Sequence, residues 1–162
     1  MDHLWSPWRM EYIQAHKDEP ETDGGCVFCD LPHGHESERI LARGALAYVV
    51  LNKFPYNPGH LLIVPVRHVG DLEALSAEEN AELQQLLQRS VRALREESQP
   101  HGFNVGMNLG GMAGAGIPDH LHWHVVPRWS GDTNFMPVVG ETRVLPELLA
   151  ETAHRLAPRF AT

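Results

Sequence analysis

Three histidines alternate with apolar residues in the segment His120-Leu121-His122-Trp123-His124. Alternate side chains of a β-strand share a face, so the spacing predicts the three imidazoles on one face, about 7 Å apart. Leu121 and Trp123 would then face a core. Imidazole exchanges protons and acts as a nucleophile near pH 7, so the segment predicts a reactive strand face. A catalytic metal bound by all three histidines is the alternative.

A glycine-rich stretch precedes the histidines. Residues 108–116, Asn-Leu-Gly-Gly-Met-Ala-Gly-Ala-Gly, contain four glycines. Glycine lets successive backbone N–H groups approach an anion closely. The spacing does not match the phosphate-binding loop of nucleotide triphosphatases, and a mobile loop is the alternative. Its position directly before the histidines favours an anion site.

Two cysteines, Cys26 and Cys29, are separated by two residues. In a reducing compartment this spacing indicates metal or redox chemistry more than a structural disulfide. The pair supplies half of a tetrahedral zinc site. A redox motif and a pair of buried thiols remain alternatives. His33 and His35 are rival ligands close in sequence, although their loop setting favours solvated side chains.

Composition limits the classes of partner. The chain has 162 residues, the length of one domain, and a net charge of −8 from 13 basic and 21 acidic residues. No cluster of Lys and Arg is present, which argues against a nucleic-acid partner, whereas a small polyphosphate can still bind local donors. No apolar run approaches the ~20 residues of a membrane span, and the N-terminus lacks a signal-peptide core. The sequence therefore predicts a cytoplasmic protein.

The elements that would position these residues suggest an α+β fold with a mostly antiparallel sheet. Apolar runs at 46–51, 61–64 and 103–108 predict strands beside the histidine strand. Residues 77–98 predict one long helix, because leucines recur at helical spacing and Ser76 and Glu79 form a capping-box pattern. A shorter helix is predicted at 147–156. Residues 1–25 would form an N-terminal arm, and 26–162 a single domain.

Within this pattern the sequence resembles the histidine triad (HIT) family, whose signature of three histidines alternating with apolar residues matches residues 120–126. The segment Asn57-Pro58-Gly59-His60 and the strand after it also resemble that family. Longer strings, Leu4 to Met10, Pro100 to Gly106 and Pro127-Arg128-Trp129, are similar to its bacterial diadenosine tetraphosphate phosphorylases.

The resemblance implies a fold and an activity. The fold would be a five-stranded antiparallel sheet with two helices, joined in a homodimer with a ten-stranded sheet. His122 would attack the α-phosphorus of a dinucleoside polyphosphate and form a nucleotidyl-histidine, and His124 would contact the phosphate. Hydrolysis of nucleoside phosphoramidates and a non-catalytic nucleotide sensor are the alternatives.

The resemblance also implies binding residues. Asn52 would contact the ribose, and Asn108 with the backbone of Gly114, Ala115 and Gly116 would line the phosphates. Many relatives carry Gln or Ser at positions 115 or 116, so only backbone donors remain here. Two further residues are ambiguous. Trp129 would stack on a base or pack, and His60 would either approach the site from the adjacent strand or be a partly exposed strand residue, which is the favoured alternative.

The same resemblance assigns a structural zinc ion to Cys26, Cys29, His68 and His120. Four protein ligands leave no open position for water, so such a site would be structural.

Overall fold

The computed structural model describes residues 25–132 and 145–161. Five strands form one antiparallel sheet in the order β1-β2-β3-β5-β4. The strands are β1 (Ile40–Arg43), β2 (Ala47–Leu51), β3 (Leu61–Pro65), β4 (Gly102–Gly106) and β5 (Trp123–Arg128). The helices are a single turn, α1 (Val27–Asp30), the long α2 (Ala77–Ser98) and α3 (Leu149–Phe160). The predicted α+β sheet with two main helices is confirmed, whereas the predicted arm lies outside the described residues except for Gly25.

The sheet carries a different layer on each face. On one face, Leu83 and Leu94 of α2 and Leu156 of α3 pack against Val49 and Ile63 of the central strands. The other face carries Tyr48, Val50, Leu62 and Val64 beneath Phe28 of α1 and Leu31. Because β2 and β3 are buried on both faces, they read as continuous apolar runs, the feature that made them predictable.

The side chains of the histidine segment alternate between the two faces of the sheet as predicted. Only its last part, from Trp123 onward, is a β-strand. β5 begins at Trp123, so His120 and His122 precede it. Leu121 and Val125 are buried in the helix-side core, and the histidines point to the other face. The Leu121 N–H donates to the Val69 carbonyl at 2.7 Å, which ties this residue to the segment that follows β3. β4 ends at Gly106, two residues before the predicted end.

Helix α2 begins as predicted, at the Ser76 cap. The Glu79 N–H donates to Ser76 Oγ, and the Ser76 N–H donates to Glu79 Oε2. Arg67 makes a two-pronged contact with the same carboxylate, with both distances 2.8 Å. These contacts tie the end of β3 to the start of the helix. Among the described residues, no helix is long and apolar enough to cross a membrane.

The capping box predicts a pH-dependent stability. Hydrogen bonds from Arg67 and from the Ser76 backbone lower the pKa of Glu79 from 4.5 to about 2. The folded pKa lies below the unfolded one, so this contribution is complete above about pH 4.5 and is lost as the pH falls toward 2. We expect Glu79→Gln to reduce the free energy of unfolding by about 1–2 kcal/mol at pH 7, and the difference from wild type to shrink over that acid range.

Urea unfolding at several pH values measures this difference. Glu78→Gln is the matched comparison in the same helical turn. Glu78 accepts from the Ser76 hydroxyl, and its pKa is lowered by hydrogen bonds from its own backbone and from Ser76, whereas Glu79 also binds Arg67. The pH-dependent loss should therefore be smaller in Glu78→Gln than in Glu79→Gln. A difference for Glu79→Gln that does not change between pH 6 and pH 2.5 would contradict the assignment.

Candidate active site and metal centre

The nucleophile predicted from the sequence, His122, is held in one tautomer. Its Nδ1 lies 2.9 Å from the His120 carbonyl oxygen, which can only accept, so Nδ1 carries the proton. The lone pair is therefore on Nε2. Burial lowers the pKa of His122, since only 7% of the residue is exposed. The ring is thus a neutral imidazole near pH 7, the form required of a nitrogen nucleophile.

Phe28 holds the His122 ring from the α1 side, with ring centroids 5.0 Å apart. Phe28 lies between the two cysteines, and its backbone carbonyl accepts a hydrogen bond of 2.7 Å from the buried Tyr48 hydroxyl. Burial raises the pKa of Tyr48, so the hydroxyl keeps its proton and donates. The turn that carries the cysteines is therefore fastened to β2 directly beside the nucleophile.

His124 is connected to a chain of hydrogen bonds that fixes its protonation. The Tyr56 N–H, which can only donate, lies 3.1 Å from His60 Nδ1, so that nitrogen accepts. The Asn52 amide nitrogen reaches the same atom at 3.2 Å. His60 Nε2 therefore carries the proton and donates to His124 Nδ1 at 2.9 Å. The neutral His124 ring then carries its proton on Nε2, where it can donate to an oxygen.

His60 differs from its sequence prediction. It is fully buried at 0% exposure, and its ring lies tilted against those of Tyr56 and His124, with centroids 4.8 and 5.1 Å away. The prediction of a partly exposed residue was wrong because Tyr56 and Asn52, in the segment that precedes His60, hydrogen-bond to its ring. The turn signal Asn57-Pro58-Gly59 next to a histidine was the available clue.

His60 is expected to set the donor function of His124. His60→Phe keeps an aromatic ring but removes the donor, so His124 can place its proton on either nitrogen. We expect kcat on a dinucleotide substrate to fall by roughly 10- to 100-fold, the usual cost of removing an orienting partner. His60→Gln, which offers an amide donor, should lose less. Equal losses in the two variants, measured by steady-state kinetics, would contradict this role.

The four predicted metal ligands come together. The ligand atoms of Cys26, Cys29, His68 and His120 all lie within 4.8 Å of one another. His120 Nδ1 is 3.2 Å from Cys26 Sγ and 3.6 Å from Cys29 Sγ, and His68 Nδ1 is 3.5 Å from Cys29 Sγ. Tetrahedral zinc with one sulfur and one nitrogen ligand requires a separation of about 3.6 Å. The residues therefore fit a zinc ion.

The tautomer of His120 supports the same conclusion. Its Nε2 lies 2.8 Å from the Pro65 carbonyl, so Nε2 carries the proton and Nδ1 presents its lone pair to the sulfurs. Among the described residues, His33, His35, His122 and His124 do not join this cluster. The catalytic metal on all three triad histidines, left open by the sequence, is therefore not supported.

The glycine-rich segment forms a folded loop. The Asn108 side-chain amide donates to the Gly114 carbonyl at 3.1 Å and closes it. Gly110 and Gly114 have φ of 76° and 87°, values that favour glycine. The N–H groups of Gly114 and Ala115 donate to carbonyls within the loop, at 3.0 and 3.4 Å. Gly116 is exposed, as are residues 109–113 of the same loop.

The two other residues predicted to contact the nucleotide, Asn52 and Trp129, lie in different parts of the structure. Asn52 lies at the end of the His60 chain, and its Oδ1 accepts from the Phe54 N–H. The Trp129 indole N–H donates instead to the Ser98 carbonyl, at the end of α2. Since α2 covers the face opposite to the histidines, this placement favours the packing alternative for Trp129.

The sheet carries a buried imidazole with its lone pair on Nε2, a second imidazole that presents an N–H donor, and a two-cysteine, two-histidine cluster that fits zinc. This combination defines a candidate histidine-based active site beside a metal site. The "HIT domain" family model matches residues 34–131. The chain belongs to the HIT family.

Individual relatives agree. The AP-4-A phosphorylase of Mycobacterium tuberculosis is 45% identical over 99% of this chain and 85% of its own length. An adenosine 5'-monophosphoramidase of Schizosaccharomyces pombe is 31% identical over 64% of this chain and 74% of its own. A Zn-bound histidine triad family protein from Mycobacterium smegmatis superposes with a TM-score of 0.69 at 30% identity, covering 84% of this chain and 93% of that one.

Proposed function

We propose that this protein is an enzyme that cleaves dinucleoside polyphosphates at the α-phosphate, with diadenosine tetraphosphate as the preferred class of substrate. The observation that carries the proposal is the pair of fixed tautomers: His122 presents a lone pair on Nε2, and His124 presents a proton on Nε2. The two rings are 5.0 Å apart, so one phosphate can meet both. The similarity to an AP-4-A phosphorylase supports the choice of substrate.

The reaction proceeds in two displacements. His122 Nε2 attacks the α-phosphorus, a P–N bond forms, and the P–O bond to the polyphosphate breaks, so that the polyphosphate leaves as an anion. His124 keeps its Nε2 proton and donates a hydrogen bond from it to a phosphoryl oxygen, which stabilises the developing charge. The acceptor then attacks the same phosphorus, either inorganic phosphate through an anionic oxygen or water that loses a proton to solvent. The P–N bond breaks, its electron pair returns to Nε2, and both histidines regain their starting forms.

Backbone and amide donors would hold the charged groups. Gly116 is proposed to contact the phosphates through its backbone N–H, because N–H groups of a glycine-rich loop can stabilise charge on phosphoryl oxygens. Asn108, Gly114 and Ala115 are proposed to line the phosphates by holding the loop in shape, since their N–H groups donate within it. Asn52 is proposed to contact the ribose. Its hydrogen bond to His60 supports this proposal, because His60 in turn donates to His124.

Cys26, Cys29, His68 and His120 are proposed to hold a structural zinc ion. When bound, the ion supplies a cross-link between α1, the end of β3 and the segment that precedes β5. The chain's own contribution is to hold His120, whose carbonyl fixes the His122 tautomer.

Product analysis with diadenosine tetraphosphate tests the proposal. ADP plus ATP formed only when inorganic phosphate is present would establish phosphorolysis, and AMP plus ATP without phosphate would establish hydrolysis. Absence of turnover under both conditions would overturn the proposed function.

Hydrolysis of nucleoside phosphoramidates is the second candidate, favoured by the similarity to an adenosine 5'-monophosphoramidase. It uses the same nucleophile and needs no second nucleotide. The two candidates separate by kcat/KM for diadenosine tetraphosphate against adenosine 5'-phosphoramidate. The homodimer and the cytoplasmic location stay predictions, to be checked by light scattering and by cell fractionation.

A further inference from the structure

A second polar network lies next to the histidine chain and is not used by the proposed chemistry. Asp132, whose side chain is 11% exposed, is paired with Arg128. It also accepts from the Trp129 N–H at 3.2 Å and from the Asn57 amide nitrogen at 2.8 Å. The ion pair with Arg128 holds the pKa of Asp132 well below its usual range. The carboxylate is therefore a permanent acceptor near neutral pH.

Asn57 is the point where this network meets the His60 connection. It is 4% exposed, and its amide nitrogen donates to the Pro127 carbonyl at 2.9 Å as well as to Asp132. Both partners are acceptors, so the orientation of the amide is fixed. We call this pair of contacts, from Asn57 to Pro127 and to Asp132, the clamp.

A tight turn links the clamp to His60. The His60 N–H donates to the Asn57 carbonyl at 3.1 Å, which makes Asn57 and His60 the first and fourth residues of a β-turn. Pro58 occupies its second position, and Gly59, with φ of 79°, its third. A Cβ at Gly59 would come within 2.9 Å of Leu94 Cδ2, so the turn has little room to move. Fixing Asn57 therefore fixes the His60 backbone.

The clamp also controls the donor that sets the His60 tautomer. Tyr56, whose N–H donates to His60 Nδ1, directly precedes Asn57 in the chain. Anchoring Asn57 therefore fixes the preceding residue, Tyr56, whose N–H is the donor. It also fixes the backbone of His60 through the turn.

We propose that Asn57 and Asp132 are positioning residues that hold His60 so that its Nε2 proton is directed at His124. They act through His60, and no contact with substrate is assigned to them. The effect on turnover rests on the proposed function, whereas the effect on the histidine tautomers does not.

Nitrogen NMR of the imidazole rings in zinc-loaded protein, together with steady-state kinetics, tests this assignment. We expect Asn57→Ala, which removes both clamp contacts, to give mixed tautomers for His60 and His124. We expect its kcat on diadenosine tetraphosphate with phosphate to fall by about 10- to 100-fold, with KM nearly unchanged, because misplacement rather than binding is affected. Asp132→Asn, which keeps an oxygen acceptor, should lose less than Asp132→Ala.

Leu156→Ala is the stability control, because Leu156 is fully buried in the helix-side core. It should lower the melting temperature without changing the tautomers. Unchanged tautomers in Asn57→Ala and Asp132→Ala, or a loss of kcat that Leu156→Ala reproduces at equal stability, would overturn the proposal. If wild type turns over neither candidate substrate, the tautomer comparison still decides between these outcomes.

Discussion

The His122→Ala protein is expected to lose at least about 10⁴-fold in kcat/KM on diadenosine tetraphosphate, because the variant lacks the nitrogen proposed to form the P–N bond. The ring is not needed for the metal cluster, and His120 keeps its contact with Pro65. Metal content should therefore stay near the wild-type value, whereas the melting temperature should fall, because truncation of the buried ring leaves a cavity. Steady-state kinetics measures the loss of kcat/KM, and elemental analysis of the same preparation measures the metal content. Thermal unfolding measures the melting temperature.

His33→Ala is the matched control for this variant, since His33 lies in the short helical turn after α1 and outside the metal cluster. It should retain full activity. Loss of the metal together with turnover in His122→Ala would instead indicate a metal held by the triad, and residual activity above a few per cent would contradict a covalent role for His122.

The Cys29→Ser protein is expected to lose zinc and much of its thermal stability. Burial and the neighbouring Cys26 raise the pKa of Cys29 to about 11, so without a cation the thiolate needed for coordination is disfavoured. A bound dication reverses this effect, and its binding energy then contributes to folding. At about 3 °C per kcal/mol for a chain of this size, losing several kcal/mol lowers the melting temperature by about 10 °C or more.

Val27→Ala tests whether the loss is specific to the ligand. Val27 lies between the two cysteines and is 58% exposed, so its truncation should leave zinc content and melting temperature unchanged. Calorimetry with and without a chelator provides the readout. A melting temperature of wild type that does not respond to zinc removal would contradict a structural role for the metal.

The central strands and the long helix could be predicted because their local sequences are unambiguous. β2 and β3 are apolar on both faces, and α2 has both the leucine spacing and the Ser76 cap. β1 was not predicted, since Ile40–Arg43 is a four-residue edge strand with little alternation. α3 was predicted at 147–156 but runs from Leu149 to Phe160, with Pro158 inside its last turn.

The candidate site was predictable where one short motif carries it and not where distant segments meet. The alternation of His120, His122 and His124 could be read directly from the sequence. The metal cluster, by contrast, brings residue 26 to residue 120, and its ligand set came from family resemblance before the geometry supported it. The roles of His60 and Asn57 depend on contacts across 64 and 75 residues, which no local pattern encodes.

Trapping the covalent intermediate is the most direct test of the nucleophile. Rapid acid-free quenching of the protein with diadenosine tetraphosphate, followed by intact-mass and peptide mass analysis, measures which residue carries an adenylyl group. We predict one adenylyl group on His122, released when inorganic phosphate is added and absent from the His122→Ala protein. An adenylyl group on another residue would contradict the account. Inversion of configuration at a chirally labelled α-phosphorus would also contradict it, because inversion indicates a single displacement.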